Sequence, residues 1–552
     1  MGSSTGSSIS KRAKPAPHRF HRDFSLPLRL CALARRRWWC WAALGVAMIL
    51  ARVALLPVLP VPEPVYMDEF SYLLAGDTFA HGRAANPAPA HPEFFESPHV
   101  LVRPTYASKY PPGQGLALAL GERLAGHPYW GVVVSGALMI VLFCWMADAW
   151  LPPQWALLAG GIAWALFFVR HYWFTSYWGG NLAACGGALV VGALGCVLRG
   201  RMRAARAGFG LGAILLYCTR PYEGAVLCAA IGIGLAFWFV RQGSERKRAF
   251  ARHVLLPNAA LLAVAVPFLL LYNARVTGHA TEMPAMLYAS QYDTAPKFWF
   301  LPASRAKEYS NENLRKTHEW ELELYQKQLT PWLAARGTDF LLLLFEGVWM
   351  QFTAVGLLLF ALPWARLRGG RRWLVGLLAA GAAALLLEVG FLPHYTAPFT
   401  PLLLLAIAVS ARTVWYRLSA VRLGAPLLAL LLCVMAIFVV RDYTGALQKP
   451  DATPRARLMR QLMGKGGRHL VFVDYADGWS FHDEWVYNGA DINGTDPARD
   501  PVVLAHARGD AENRELLGAY PDRSAWLLKL GPGSADVSLQ AYPAAMARAG
   551  AR

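Results

Sequence analysis

Stretches of roughly 18–25 apolar residues, the length a helix needs to cross about 30 Å of hydrocarbon, recur along most of the chain and are parted by short clusters of Arg and Lys. A chain patterned this way folds as a bundle of membrane helices, because hydrocarbon offers no partner to an open backbone group. Spans are predicted near 38–60, 129–150, 154–171, 180–199, 205–220, 223–241, 254–273, 338–364, 373–391, 395–411 and 424–441, about eleven in all. The 55% share of hydrophobic residues against 16% charged excludes an ordinary water-soluble protein. A formal net charge of +19 would suggest nucleic acid in a soluble chain, but here the basic residues sit between apolar runs, where they set orientation. No nucleic-acid partner is expected.

Orientation follows from which connections are basic. Arg199, Arg201, Arg203 and Arg206 share one loop; Arg241, Arg246, Lys247, Arg248 and Arg252 lie two loops later; Arg366, Arg368, Arg371 and Arg372 follow, then Arg412, Arg417 and Arg422. The connections at 171–179 and 391–394 hold no Lys or Arg, and 219–222 holds only Arg220. The N-terminus is therefore predicted inside and the C-terminus outside; the 148–153 connection departs from the pattern, since it should be cytoplasmic and has no basic residue. Eight cysteines, without a CxxC pair, lie in or beside apolar segments, which argues against a disulfide framework or a zinc site.

The expected layout is a cytoplasmic basic tail over 1–37, read as leading into an uncleaved anchor, then a membrane domain over 38–441 with outer loops 61–128 and 274–337, then an extracytoplasmic α/β domain over 442–552. In the first loop, Met67–His81 and Gly115–Ala125 read as helices lying at the membrane surface. The tail alternates as strands at His469–Asp474, Pro501–Ala505 and Ser524–Leu530 with a helix at Asp510–Tyr520. The fold class is thus an all-α polytopic membrane domain, with interfacial helices, and a small C-terminal soluble α/β domain. No internal repeat supports an inverted-repeat transporter.

Four outer-face motifs carry the chemistry. Asp68-Glu69 follows the first span; helical spacing sets Asp68, Tyr72 and Phe79 near one face, and the bland alternative is a pair of acids at a helix N-terminus. Ser108-Lys109-Tyr110-Pro111-Pro112-Gly113 ends the first outer loop, with a lysine suited to a lipid phosphate or simply snorkelling. Thr219-Arg220-Pro221-Tyr222-Glu223-Gly224 joins two spans and puts ionisable groups near the bilayer, where they are costly, unless they serve only to pair with each other. Pro393-His394-Tyr395-Thr396-Ala397-Pro398 is a turn whose histidine suits an anion or a helix cap. The aromatic connection His171 to Trp178 reads as an interfacial belt.

In their order and common face these motifs resemble the C-type glycosyltransferases, multi-spanning enzymes that take a sugar from a polyprenyl-phosphate carrier outside the cytoplasm. The likeness is to the branch of protein O-mannosyltransferases and lipid A aminoarabinose transferases. It rests on Asp68-Glu69 with Tyr72 and Ala75, Lys109 with Pro111-Pro112, Arg220-Pro221-Tyr222, and His394-Tyr395 with Pro398, and covers roughly 38–440 in layout. Two departures stand: the second outer loop, 171–179, lacks an acid, and the tail matches no acceptor-binding domain.

The resemblance implies an inverting transfer to a cell-envelope glycan, lipid or protein in a bacterial inner membrane. Asp68 is the expected general base beside Glu69; Lys109, Arg220, His394 and Tyr395 are expected at the donor phosphate, and Tyr72, Tyr222 and Glu223 along the substrate groove. No cofactor is assigned. A divalent metal is compatible with the chemistry, although no ligand cluster in the sequence supports one. The competing class is a transporter or lipid flippase in which Arg220, Glu223, Glu346 and Glu388 form a midplane pathway.

Overall fold

The computed structural model describes residues 37–168, 171–329, 332–345, 348, 352, 356–359, 372–390, 392–419, 421–446, 453–496, 499–532 and 536–543. The basic tail up to residue 36, about half of the predicted span 338–364, and Glu346 lie outside the described residues. Helix α1 (Arg37–Leu55) runs into a segment with prolines at 57, 60, 62 and 64, which lack the N–H a helix needs, and the chain re-enters helix at α2 (Met67–Ala80). A small antiparallel sheet follows, from β1 (Asn86–Pro87), β2 (Val100–Leu101) and β3 (Thr105–Ser108), with β3 in the middle. Helix α3 (Pro112–Ala125) has proline in its first turn and ends at a left-handed Gly126, φ 72°.

The bundle continues with α4 (Tyr129–Trp150), α5 (Pro153–Phe168), α6 (Gly180–Leu198), α7 (Gly208–Tyr217), α8 (Pro221–Val240) and α9 (Ser244–Thr277), the last with a π-helical turn at Ala251–Leu255. The segment 274–337 carries α10 (Pro284–Gln291) and α11 (Glu312–Leu329); α12 (Trp332–Leu344), α13 (Arg372–Leu387), α14 (Thr400–Ser419) and α15 (Gly424–Ala446) complete the bundle. Among the described residues six helices are long and apolar enough to cross a membrane, and 153–167 and 372–387 are shorter apolar helices. Within the predicted span 205–220 the α-helix is the 10-residue α7, about 15 Å long. Its glycines let it lie close on α6: a Cβ at Gly212 would sit 2.6 Å from Val190. Helix α6 is the centre of the bundle, 89% of its apolar stretch being buried, whereas 17% in α1 and α9 puts those two on the bundle's outside.

Beyond the bundle, α16 (Pro454–Gly464), β4 (His469–Tyr475), β5 (Val502–His506), α17 (Asp510–Ala519), β6 (Ser524–Leu530) and β7 (Val537–Ala541) form a mixed sheet in the order β5-β4-β6-β7. Strand β4 is parallel to both neighbours and buried from His469 to Val473, as a central strand covered on two faces must be. One face packs Val471, Val473, Leu504 and Leu528 on Leu458 and Leu462 of α16. The other packs Leu470, Phe472 and Val503 on Leu516 and Leu517 of α17 and also on Phe70, Leu74, Phe94, Phe95 and Tyr106 of the first outer loop.

That shared core changes the reading of α2. The sequence predicts a helix lying on the membrane surface, but α2 is covered by the tail on one side and by α3 on the other. Added Cβ atoms would lie 2.9 Å from Leu118 at Gly76 and 2.6 Å from Ala75 at Gly115, so both helices need glycine where they meet.

Candidate active site

The four motifs meet around α2. Val100 pairs with Ser108 in the β2–β3 ladder, and this register brings His99, just before β2, beside Lys109, just after β3; the Lys109 amide donates to the His99 carbonyl at 3.2 Å. Ser71 of α2 binds the same carbonyl at 2.7 Å and the Ser108 hydroxyl at 2.7 Å. The loop is thereby clamped to the helix one turn from Asp68.

Asp68 is met by two side chains from that loop. His99 Nδ1 lies 2.8 Å from Asp68 Oδ1, the Tyr110 hydroxyl donates to the same oxygen, and Tyr110 is also 3.0 Å from His99 Nδ1. Burial alone would raise the Asp68 carboxyl, but the His99 and His394 imidazoles and the Tyr110 hydrogen bond outweigh it and hold it well below the usual carboxylate range. His99 goes below the ordinary imidazole value, through burial and the Lys109 charge, with Asp68 opposing. Tyr72 stacks on Tyr110, centroids 4.4 Å apart, so Asp68 and Tyr72 do share a face; Phe79 turns away to meet Tyr272 edge-on at 6.0 Å.

The Lys109 motif is fastened to the Arg220 motif by one contact. The Gly113 amide donates to the Cys218 carbonyl at 2.7 Å, and a Cβ on Gly113 would fall 2.6 Å from that oxygen. Arg220, at the N-terminus of α8, lies 4.7 Å above the Tyr395 ring and 3.7 Å from Glu223. Lys109 Nζ lies 4.5 Å over Tyr288 and 5.6 Å over Tyr110. The buried His394 ring adjoins Trp178 at 4.7 Å and Tyr395 at 4.8 Å, and its Nδ1 has no partner among the described residues. Asp68, Tyr72, Lys109, Arg220, His394 and Tyr395 thus fall in one neighbourhood.

Two candidates do something other than the sequence suggests. Glu69, 2% exposed, accepts the amides of Val65 and Tyr66 on Oε2, at 2.9 and 3.0 Å, and of Tyr177 on Oε1 at 3.0 Å. Burial, aided by the Asp68 charge, outweighs these bonds and pushes its carboxyl up. Glu69 is a clasp between the start of α2 and the 171–179 connection. Tyr222 points out of the cluster, its hydroxyl on the Ala384 carbonyl at 3.1 Å and its ring beside Lys297 and Phe298. Lys297 in turn pairs with buried Glu388 at 3.4 Å, so Glu388 has a partner from the segment 274–337.

Sequence reasoning missed His99 and two gatherings of metal-type ligands. Asp77, His81 and Glu122 form one, and Asp293, His318 and Glu321 the other, each with ligand atoms within 4.8 Å of one another. Asp77 is already engaged by Arg499 and the Ala490 amide. In the second, His318 Nδ1 is 2.8 Å from Glu321 and 3.6 Å from Asp293, and its Nε2 is 3.3 Å from the Tyr288 hydroxyl, which accepts the His99 amide at 3.0 Å. An imidazole with two carboxylates is a donor set suited to a divalent cation.

No family model matches the sequence, and no curated protein does. Among solved structures, the chain is similar to ArnT from Cupriavidus metallidurans in the apo state, at 16% identity and TM-score 0.47 over 89% of this chain and 92% of that one. The same protein bound to undecaprenyl phosphate aligns at 15% identity and TM-score 0.48, over 89% and 93%. The archaeal oligosaccharyltransferase AglB from Archaeoglobus fulgidus, in complex with an inhibitory peptide and a dolichol-phosphate, aligns at 10% and 0.42, over 90% of this chain and 69% of that one.

Proposed function

We propose that the protein is an inverting membrane glycosyltransferase that moves a sugar from a polyprenyl-phosphate carrier to a cell-envelope acceptor on the non-cytoplasmic face. The observation that carries this reading is the convergence of a partly exposed carboxylate, Asp68, with two cations, Lys109 and Arg220, from outer segments far apart in sequence and beside apolar helices. A phosphate leaving group needs cations to hold its departing charge and a basic group to relieve the attacking hydroxyl of its proton. Lys109 and Arg220, with His394 and Tyr395, serve the phosphate; Asp68 marks the proton-accepting end, held ionised by its neighbours. Tyr72 lines the groove, while Glu223 steadies Arg220. The full topology is about eleven spans in a bacterial inner membrane, with the N-terminus cytoplasmic and the tail periplasmic.

The test is transfer from labelled polyprenyl-phosphate sugars by the protein reconstituted in vesicles, run beside a transport assay on the same vesicles. Transfer that is lost in Asp68→Asn, by roughly 100- to 10,000-fold, supports the enzyme. Lipid or solute movement without transfer establishes the flippase class instead.

A further inference from the structure

We propose that His99 is the proton acceptor of the transfer step and that Asp68 is the carboxylate that fixes its tautomer and orientation; this rests on the sugar-transfer reading. Both Asp68 contacts described above fall on one carboxylate oxygen, Oδ1. The Tyr110 hydroxyl also lies 3.0 Å from His99 Nδ1, but it gives its hydrogen to the carboxylate, which when ionised can only accept, and we therefore assign the His99 hydrogen to Nδ1, facing Asp68. Nε2 is left as a bare lone pair, with no hydrogen-bond partner among the described residues, on a side chain 12% exposed beside an Asp68 that is 19% exposed.

This is the arrangement in which a carboxylate serves an imidazole base, and here the alternative is weak. One Asp68 oxygen accepts the Tyr110 hydroxyl and faces His99 Nδ1, and a carboxylate engaged in this way is poor at taking a proton, whereas Nε2 of a neutral imidazole keeps an unshared lone pair suited to the task. The backbone supplies a second, independent observation. His99 has φ 69°, in the left-handed region that non-glycine residues seldom enter, and it is kept there by the Tyr288 hydroxyl on its amide and by Ser71 and the Lys109 amide on its carbonyl. These three bonds fix the backbone that carries the ring, whose Nδ1 stands 2.8 Å from Asp68.

In the step itself, the acceptor hydroxyl gives its proton to His99 Nε2 as its oxygen bonds to the anomeric carbon. The bond from that carbon to the phosphate oxygen breaks, and its electron pair leaves with the polyprenyl phosphate between Lys109 and Arg220. The imidazolium, stabilised by Asp68, then releases the proton to water. The charged or titratable groups facing His99 are Asp68 and Tyr110, Lys109, Tyr288 and, farther off, Asp293 and Glu321.

The first experiment needs no substrate. Full-length protein labelled with ¹⁵N-histidine in lipid nanodiscs is expected to show, at pH 7.5, a His99 with protonated Nδ1 and bare Nε2, assigned by its loss in His99→Gln. An Nε2-protonated His99 overturns the proposal whatever the protein acts on. The second uses undecaprenyl-phosphate hexoses and pentoses as donors. His99→Gln should lose roughly 100- to 10,000-fold in kcat with little change in KM. The acid limb of the wild-type pH profile, expected below about 6.5, should vanish with it, and added imidazole should partly restore His99→Ala. A His99→Gln variant within threefold of wild type, with its acid limb intact, returns the base to Asp68. The expected tautomer together with no transfer from any of these donors refutes the sugar-transfer reading, and the role of His99 in it.

Discussion

Replacing Glu69 by Gln separates two neighbouring carboxyls that the sequence presents as a pair. The three amides on the Glu69 carboxylate are divided between its oxygens, two on Oε2 and one on Oε1. Glutamine keeps one acceptor oxygen and turns an NH2 towards whatever met the other. If its carbonyl takes Val65 and Tyr66, the Tyr177 amide is stranded in a buried site. A stranded buried donor costs about 1–3 kcal/mol, and the two surviving bonds weaken once their acceptor is neutral. Relief from burying a charge offsets part of this, leaving about 2–3 kcal/mol, which is a 30- to 140-fold change in a local equilibrium at about 1.4 kcal/mol per decade. Amide hydrogen exchange over residues 171–179 reads that equilibrium directly. Glu69→Gln should accelerate exchange there by about that factor, whereas Asp68→Asn, which touches none of these amides, should leave it unchanged. Exchange in Glu69→Gln within about threefold of wild type would refute the clasp and return Glu69 to the chemistry.

Lys109→Ala and Arg220→Ala should each lower catalytic efficiency by about tenfold to a hundredfold, at about 1.5–3 kcal/mol per charge-assisted bond, and Arg220→Ala with Glu223→Ala should stay impaired if Arg220 serves the substrate rather than Glu223. Gly113→Val should cut activity at least as far as either, because its side chain meets the Cys218 carbonyl and forces apart the two turns that carry Lys109 and Arg220; wild-type kinetics in that variant would show that the Gly113–Cys218 contact is not what joins them. A reporter fused to the C-terminus should be active only if it functions outside the cytoplasm, and activity of a cytoplasm-only reporter would invert the topology.

What the sequence made legible was chemistry at the ends of spans. Lys109-Tyr110-Pro111-Pro112-Gly113 and Arg220-Pro221 stand out because prolines at helix starts punctuate an otherwise apolar text, and Asp68 because acids are costly near a bilayer. His99 was hidden because it reaches Asp68 only through the register of a short hairpin. Its available signal was apolar Val100-Leu101, a turn at Pro104, and Thr105–Ser108 in strand-like succession. Asp293 was likewise hidden from His318 and Glu321, although the latter two are one helical turn apart. The spans fared unevenly for a related reason: hydropathy measures how apolar a stretch is and not how much of it is helical, and within 205–220 the α-helix is the 10-residue α7, packed by its glycines against α6.

The tail was legible as strands and a helix, but its relation to the site was not, because nothing in an amphipathic strand says which surface its partner occupies. Its contacts explain why a sugar-transfer site would need it. The Tyr487 ring stacks on Phe70 with centroids 4.6 Å apart, Arg455 caps the same ring at 4.4 Å, and Asp77 binds Arg499 at 2.5 Å and the Ala490 amide at 2.6 Å. Phe70 and Asp77 lie on α2, two and nine residues beyond Asp68. The helix carrying Asp68 is therefore held from three directions: by the tail, by α3 through Gly76 and Gly115, and by the 171–179 connection through Glu69. A proton-transfer group must be held to within about half an ångström of its working position, and flexible outer loops seldom achieve that alone. The tail supplies the missing rigidity by closing a hydrophobic core over a helix that would otherwise lie half-exposed beside the bilayer.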